Sequence, residues 1–280
     1  MSIEIVKFII YTFLIVIISK YILVKLLRRL SEALNLSAKT VGNISGAATS
    51  VPELLTVSFS AFAGLIGTTI YNVISSNIIN LLQYLISIFI NKNQKKISNK
   101  AIKLDFILVV ITIILPIIML MLNINFSISI VPIFVLLFIL FYIINNNAHK
   151  LYLKKQDEKI EKEIEKEKKW IKGKIKVVVK YSFYLLITSI ALYVVGNALS
   201  VCLENLAGYF KIPEIVLGII LGFITSIPEL ITFFESQRHH KKEENQELGV
   251  VEATNNLLTS NILNLFVIQT IGIIVYEIAK

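Results

Sequence analysis

The chain has 280 residues, 55% of them hydrophobic and only 17% charged, with a formal net charge of +9. A soluble domain of this length needs far more polar surface, so the composition excludes one and points to a polytopic membrane protein. The lysines and arginines stand beside long apolar runs, which makes topology and anionic lipid a better reason for the excess than nucleic acid.

In chain order, a first span runs from about Ile5 to Leu27 and closes on Lys25, Arg28 and Arg29. It carries Lys20 and lacks a small-residue cleavage pattern, so it reads as a retained helix and not a removed signal peptide. Span two, about Val41 to Phe62, contains Thr49-Ser50-Val51-Pro52-Glu53. Span three, about Thr69 to Ile90, follows a short uncharged turn with Gly64 and Gly67, and leads into the basic patch Lys92, Lys95, Lys96, Lys100 and Lys103. Spans four (about Leu104 to Leu122) and five (about Ile128 to Ile144) are aliphatic, and Pro116 and Pro132 are expected to kink them.

The charged segment from His149 to Lys176 pairs Glu158 with Lys162 at i,i+4, and Ile160, Ile164, Ile171 and Ile175 make a thin apolar stripe. It reads as a solvated helical linker, with a partner- or lipid-binding helix as the alternative. Spans six (about Val177 to Val201), seven (about Pro213 to Glu235) and eight (about Val250 to Ile278) follow. Span seven holds a second such run, Thr225-Ser226-Ile227-Pro228-Glu229, and the next loop carries Arg238, Lys241 and Lys242. Basic residues concentrate after spans one, three, five and seven, so those loops are expected in the cytoplasm and both termini outside.

Two segments thus recur in the same order. The Pro-Glu run is followed in one copy by Asn72, Ser76, Asn77 and Asn80 and in the other by Asn256, Ser260, Asn261 and Asn264. An odd number of spans separates the copies, so they cross the membrane in opposite senses. Inverted repeats with interrupted helices at matching positions are the signature of a secondary transporter with a midplane site. The division expected is a first repeat over 1–147, a linker over 148–176 and a second repeat over 177–280.

A carboxylate at that depth costs at least ~2.5 kcal/mol, so Glu53 and Glu229 are site candidates by default. Proline removes an amide donor and frees a carbonyl a turn earlier. Carbonyls near Gly46, Thr49, Gly222 and Thr225, with the Ser50 and Ser226 hydroxyls, would offer hard neutral oxygens. Such a set suits calcium, which takes six to eight oxygens at flexible geometry, and sodium could share it. Asn72, Ser76 and Asn80, like Asn256, Ser260 and Asn264, lie at i, i+4, i+8 on one helix face and could complete the shell. Asn77 and Asn261 fall off that face and suit helix packing better. His239-His240 in a basic loop is expected to be solvated. Glu204 and Glu277 lie near span ends, and Glu252 suits the positive end of a helix dipole. A single cysteine, Cys202, excludes an internal disulfide and a thiolate cluster. Neither H-E-x-x-H nor a Walker loop is present, and no nucleophile-base pair indicates an enzyme.

These motifs resemble those of the calcium/cation antiporter superfamily, specifically sodium/calcium exchanger membrane domains. The alpha-repeat patterns G-T-S-x-P-E-L and G-N-x-x-G-S-N-I-x-N read here as Ala48-Thr-Ser-Val-Pro-Glu-Leu54 with Tyr71-Asn-Val-Ile-Ser-Ser-Asn-Ile-Ile-Asn80, then as Ile224-Thr-Ser-Ile-Pro-Glu-Leu230 with Asn255-Asn-Leu-Leu-Thr-Ser-Asn-Ile-Leu-Asn264. The resemblance implies an all-α exchanger fold. It implies calcium ligation by Glu53 and Glu229 with the Thr49 and Thr225 carbonyls. It also implies sodium-site oxygens from Ser50, Ser226, Ser76 and Ser260, with Gly46 and Gly222 carbonyls, and Asn80 and Asn264 alongside. The family glycines before Thr-Ser and Ser-Asn are here Ala48, Ile224, Ser75 and Thr259, and Asn80 and Asn264 stand where some relatives carry Asp. The family has ten spans as five plus five, against five plus three here. The function implied is calcium-for-sodium antiport in a cell membrane by alternating access. Alternatives are proton- or potassium-coupled exchange, or a non-transporting interaction protein. No cofactor is expected beyond the cargo ions calcium and sodium. The bilayer is the expected environment and nucleic acid is not expected as a partner; homo-oligomerisation is left open.

Overall fold

The computed structural model describes residues 2–23, 25–27, 29–30, 38–98, 100–153, 175–242 and 246–280, and its regular elements are all helical. They are α1 (Ser2–Ile18, continued by a π turn at Ser19–Leu23), α2 (Ala38–Thr49), α3 (Val51–Phe62), α4 (Ile66–Ile90), α5 (Lys100–Met121) and α6 (Val131–Leu153). The second half holds α7 (Ile175–Phe210), α8 (Glu214–Thr225), α9 (Ile227–Lys242), α10 (Gln246–Ile262), a π turn (Leu263–Ile268) and α11 (Gln269–Ala279). The charged linker expected over 148–176 lies outside the described residues, save the last turn of α6 and the start of α7.

Among the described residues, six stretches are long and apolar enough to cross a membrane: Ile66–Ile90, Ile102–Met121, Ile128–Asn145, Val177–Leu199, Glu214–Lys241 and Gln246–Ala279. The remaining two expected spans correspond to α1 with its π turn and to the α2–α3 pair, which spends much of its length on Gly, Ser, Thr and Asn. Pro116 lies within α5, but Pro132 is the second residue of α6, behind the 3-10 turn Ile128–Ile130. Proline there opens the helix instead of kinking it, because its missing amide falls among the donors a first turn leaves unpaired anyway.

The polar and apolar surfaces are inverted relative to a soluble protein. Ile107, Ile111, Ile114 and Ile118 of α5, and Leu136, Ile139 and Tyr142 of α6, face outward, as lipid contact demands. Thr49, Glu53, Thr56, Asn72, Ser76, Asn77 and Asn80 are fully buried, as are Thr225, Glu229, Asn256, Ser260, Asn261 and Asn264. An aromatic row of Phe134, Phe266 and Phe141 holds α6 against the π turn, with ring centroids 5.9 and 5.1 Å apart.

The two halves interlock. Helix α2 packs on α10 and α8 packs on α4, so each broken Pro-Glu helix leans on the other half's Asn/Ser helix. Glycines at i,i+4 make this possible. A Cβ at Gly42 would sit 2.3 Å from the Glu252 carbonyl oxygen, and one at Gly46 2.6 Å from that of Asn256. In the other half a Cβ at Gly218 would stand 2.7 Å from the Thr68 carbonyl oxygen, and one at Gly222 2.8 Å from that of Asn72. These are paired small-xxx-small faces, which let backbones approach where lipid supplies no hydrophobic drive for association. Helix α3 packs on α4 and α11, α9 packs on α10 and α4, and α1 lies along α7 at the flank.

Candidate cation site

Each Pro-Glu run breaks its span at the serine. Ser50 (φ −80°, ψ 0°) and Ser226 (φ −79°, ψ −1°) adopt the same conformation, and the next helix begins with proline in its first turn. Proline at 52 and 228 leaves the carbonyls of Ala48 and Ile224 without the usual i+4 donor. The break sets Glu53 and Glu229 in the first turns of α3 and α9, where amide dipoles favour an anion.

The two carboxylates are close enough to repel one another, and the Thr225 hydroxyl faces Glu53 as the Thr49 hydroxyl faces Glu229. Each glutamate therefore looks onto the other repeat. Neither threonine spends its best hydrogen bond there: Thr49 donates to the Ser45 carbonyl at 2.9 Å and Thr225 to the Leu221 carbonyl at 3.0 Å. Ser260 donates to Glu229 Oε1 at 3.1 Å, receives the Asn80 amide at 3.3 Å, and stands 2.9 Å from the Ser50 hydroxyl. Ser76 donates to the Gly222 carbonyl at 3.4 Å. The Gly46 and Gly222 carbonyls also accept the Ser50 and Ser226 amides, both at 3.2 Å, so in this conformation their oxygens are engaged.

Among the described residues, several buried acceptors have no hydrogen-bond partner: both oxygens of Glu53, Oε2 of Glu229, Oδ1 of Asn80, Oδ1 of Asn264 and the Ser226 hydroxyl. Buried polar atoms almost always find a partner, and a buried carboxylate costs most without one. The donor set is all oxygen, with two formal negative charges, which fits a hard cation such as calcium or sodium. Thus Glu53, Glu229, Thr49, Thr225, Ser50, Ser76, Ser260 and Asn80 are joined by the contacts above, whereas Asn264 and Ser226 carry polar atoms left over.

Flanking residues orient these groups in matching pairs. Asn72 donates its amide to Thr56 at 3.0 Å, and Asn256 donates to Thr232 at 2.7 Å. Thr56 in turn donates to the Glu53 carbonyl at 3.2 Å and Thr232 to that of Glu229 at 2.8 Å. The signal was present in the chain, since both Pro-Glu runs continue to a threonine three residues past the glutamate. Asn77 donates to the Asn261 carbonyl at 3.2 Å and Asn261 returns the bond to the Asn77 carbonyl at 3.1 Å, which clasps α4 to α10.

Two expectations are corrected outside the site. His240 is buried at the end of α9 and not solvated, its Nε2 2.9 Å from Glu252 Oε2, while Ser236 donates to Glu252 Oε1 at 2.5 Å. Helix α10 begins at Gln246, so Glu252 stands beyond its first turn and is held by α9 side chains, not by a helix terminus.

The chain matches the family described as sodium/calcium exchanger protein over residues 4–145 and 180–279. Solved structures of the sodium-calcium exchanger NCX_Mj share its fold. The one soaked with 2.5 mM Na+ and 10 mM Sr2+ is 23% identical, with a TM-score of 0.56 over 98% of this chain and 83% of its own. The one soaked with 100 mM Na+ and 10 mM Sr2+ is 21% identical, with a TM-score of 0.57 and the same coverage. A search of curated proteins finds no match. The chain belongs to the sodium/calcium exchanger protein family.

Proposed function

We propose that the chain is a secondary antiporter that exchanges calcium for sodium by alternating access around the Glu53–Glu229 pair. The observation that carries this reading is the pair itself: two fully buried carboxylates, one from each repeat, with oxygens left unpartnered among the described residues. One calcium ion balances both charges, and the oxygens of Thr49, Thr225, Ser50, Ser226, Ser76, Ser260, Asn80 and Asn264 would share its coordination or that of sodium. Ions that compete for the same oxygens cannot occupy the site together, which is how opposing fluxes become coupled. The halves 1–147 and 177–280 act as inverted repeats, with the basic loops in the cytoplasm and both termini outside.

The test is calcium uptake into proteoliposomes under an outward sodium gradient. Uptake that depends on sodium and falls at least a hundredfold in Glu53→Gln and in Glu229→Gln is the expected result. Equal uptake under a proton gradient with sodium absent would move the protein to the proton-coupled class. A folded protein with no flux under any gradient would defeat the transport reading.

A further inference from the structure

The correspondence between the two motif copies breaks down in a layer beside the site. In α4, Tyr84 stands one α-turn after Asn80, and its hydroxyl lies 2.8 Å from that of Thr254. Its ring meets Phe233 edge-on at 5.9 Å, and both rings are fully buried. These aromatics fill the half of the interior between the carboxylates and the Lys92 end of α4. In the other half the helix widens into the π turn, and the backbone N–H of Gln269 donates to the backbone carbonyl of Asn264. A π turn takes in one extra residue, so Gln269, five after Asn264, occupies the place that Tyr84 holds four after Asn80. The residues matching Thr254 and Phe233 are Ile70, two before Asn72, and Val57, four after Glu53.

Gln269 therefore replaces a tyrosine in a setting that has lost its hydroxyl partner. The side chain is 1% exposed, yet its Nε2 has no hydrogen-bond partner among the described residues, and neither amide atom of Asn264 has one. Three residues on, on the same side of α11, a Cβ at Gly272 would sit 2.7 Å from both Val57 and Thr69. That contact places this face of α11 against α3 one turn beyond Glu53, toward the Gly64 end. An orphaned amide in an apolar layer costs about 1–3 kcal/mol, so a group that serves packing alone is a poor explanation. An amide reverses its two ends by a half-turn, so Gln269 can present its oxygen where Nε2 now lies.

We infer that Gln269 and Asn264 form an uncharged station for a monovalent cation of sodium's size, on the Gly64 side of the carboxylate pair. The inference rests on the antiport reading above. Two amide oxygens offer dipoles without formal charge. That suffices for a monovalent ion that keeps some water, whereas a divalent ion, with its larger dehydration cost, needs the carboxylates. Gln269 thereby discriminates between the exchanged ions instead of holding both.

The experiment compares wild type with Gln269→Leu and Gln269→Asn in the full chain. It reads the sodium dependence of calcium efflux from proteoliposomes and equilibrium calcium binding in sodium-free buffer. The expected result for Gln269→Leu is a rise of about tenfold in half-saturating sodium, with calcium affinity moving less than threefold, and partial recovery in Gln269→Asn. Unchanged sodium dependence in Gln269→Leu, or equal losses for both ions, overturns the station. If Gln269→Leu does not fold, Gln269→Met, closer in shape, takes its place with the same criteria. A wild type that neither binds calcium nor shows sodium-dependent flux refutes the antiport reading itself, whereas a working wild type with an indifferent Gln269 refutes only this inference.

Discussion

The close approach of α8 to α4 is open to a direct test through Gly222→Ala. A Cβ there would stand 2.1 Å from the Ser75 hydroxyl, 2.8 Å from the Asn72 carbonyl oxygen and 2.9 Å from the Ser76 nitrogen. The hydroxyl can rotate away, but only by giving up its bonds to the Asn72 carbonyl at 3.0 Å and the Gly218 carbonyl at 3.2 Å. The other two atoms are backbone of α4 and yield only if α8 and α4 separate. Overpacking of this kind costs about 1–3 kcal/mol, and two interhelical or local hydrogen bonds in a membrane bundle add about 0.6 kcal/mol each. Alanine's better helix propensity returns about 1 kcal/mol. The net expectation is a loss of about 1–3 kcal/mol, or about 2–10 °C in the thermal unfolding of the detergent-solubilised protein. Gly196→Ala is the control, since nothing lies within 4 Å of its Cβ position and only the propensity gain remains. Ser75→Gly, which restores the residue the family motif carries, should rescue part of the loss in Gly222→Ala by removing the shortest clash. Gly222→Ala melting at or above Gly196→Ala would refute the close-approach argument.

Calcium should raise the unfolding temperature of wild type, by an amount equivalent to about 2.7 kcal/mol at a hundredfold excess over its dissociation constant. Differential scanning fluorimetry should show that rise abolished in Glu229→Gln. Asn77→Ala and Asn261→Ala should each lose about 1 kcal/mol, because each deletes one donor of the α4–α10 clasp. Asn261→Ala should also couple to Asn80→Ala in a double-mutant cycle, as the Asn80 amide donates to Asn261 Oδ1 at 3.2 Å. Glu252→Gln or His240→Ala should each cost about 1–3 kcal/mol in the same unfolding assay by removing one side of a buried pair. The apolar double variant His240→Leu with Glu252→Met should recover much of that loss, since no charge is then left buried without its counterpart.

The amino-acid sequence by itself determined the class, showed the same two motifs recurring in the same order, and singled out the two carboxylates as candidates. Hydrocarbon leaves no ambiguity about long runs of Ile, Leu and Phe, and it penalises a glutamate enough that Pro52-Glu53 and Pro228-Glu229 stand out on a local reading. The repeat was legible because both copies keep polar residues at the same intervals. What depended on contacts between distant segments was not legible. That α2 leans on α10 and α8 on α4 follows from where Gly42, Gly46, Gly218 and Gly222 meet the opposite half, and a glycine does not name its neighbour. His240 looked solvated because its chain neighbours are basic, yet the fold turns it onto Glu252. Gln269 could not be matched to Tyr84 at all, because one added residue in a π turn shifts the register, and only the backbone hydrogen bond to Asn264 reveals the shift. Local cost selected the carboxylates, whereas the tertiary structure chose their company, since packing brings together residues that sequence spacing holds far apart.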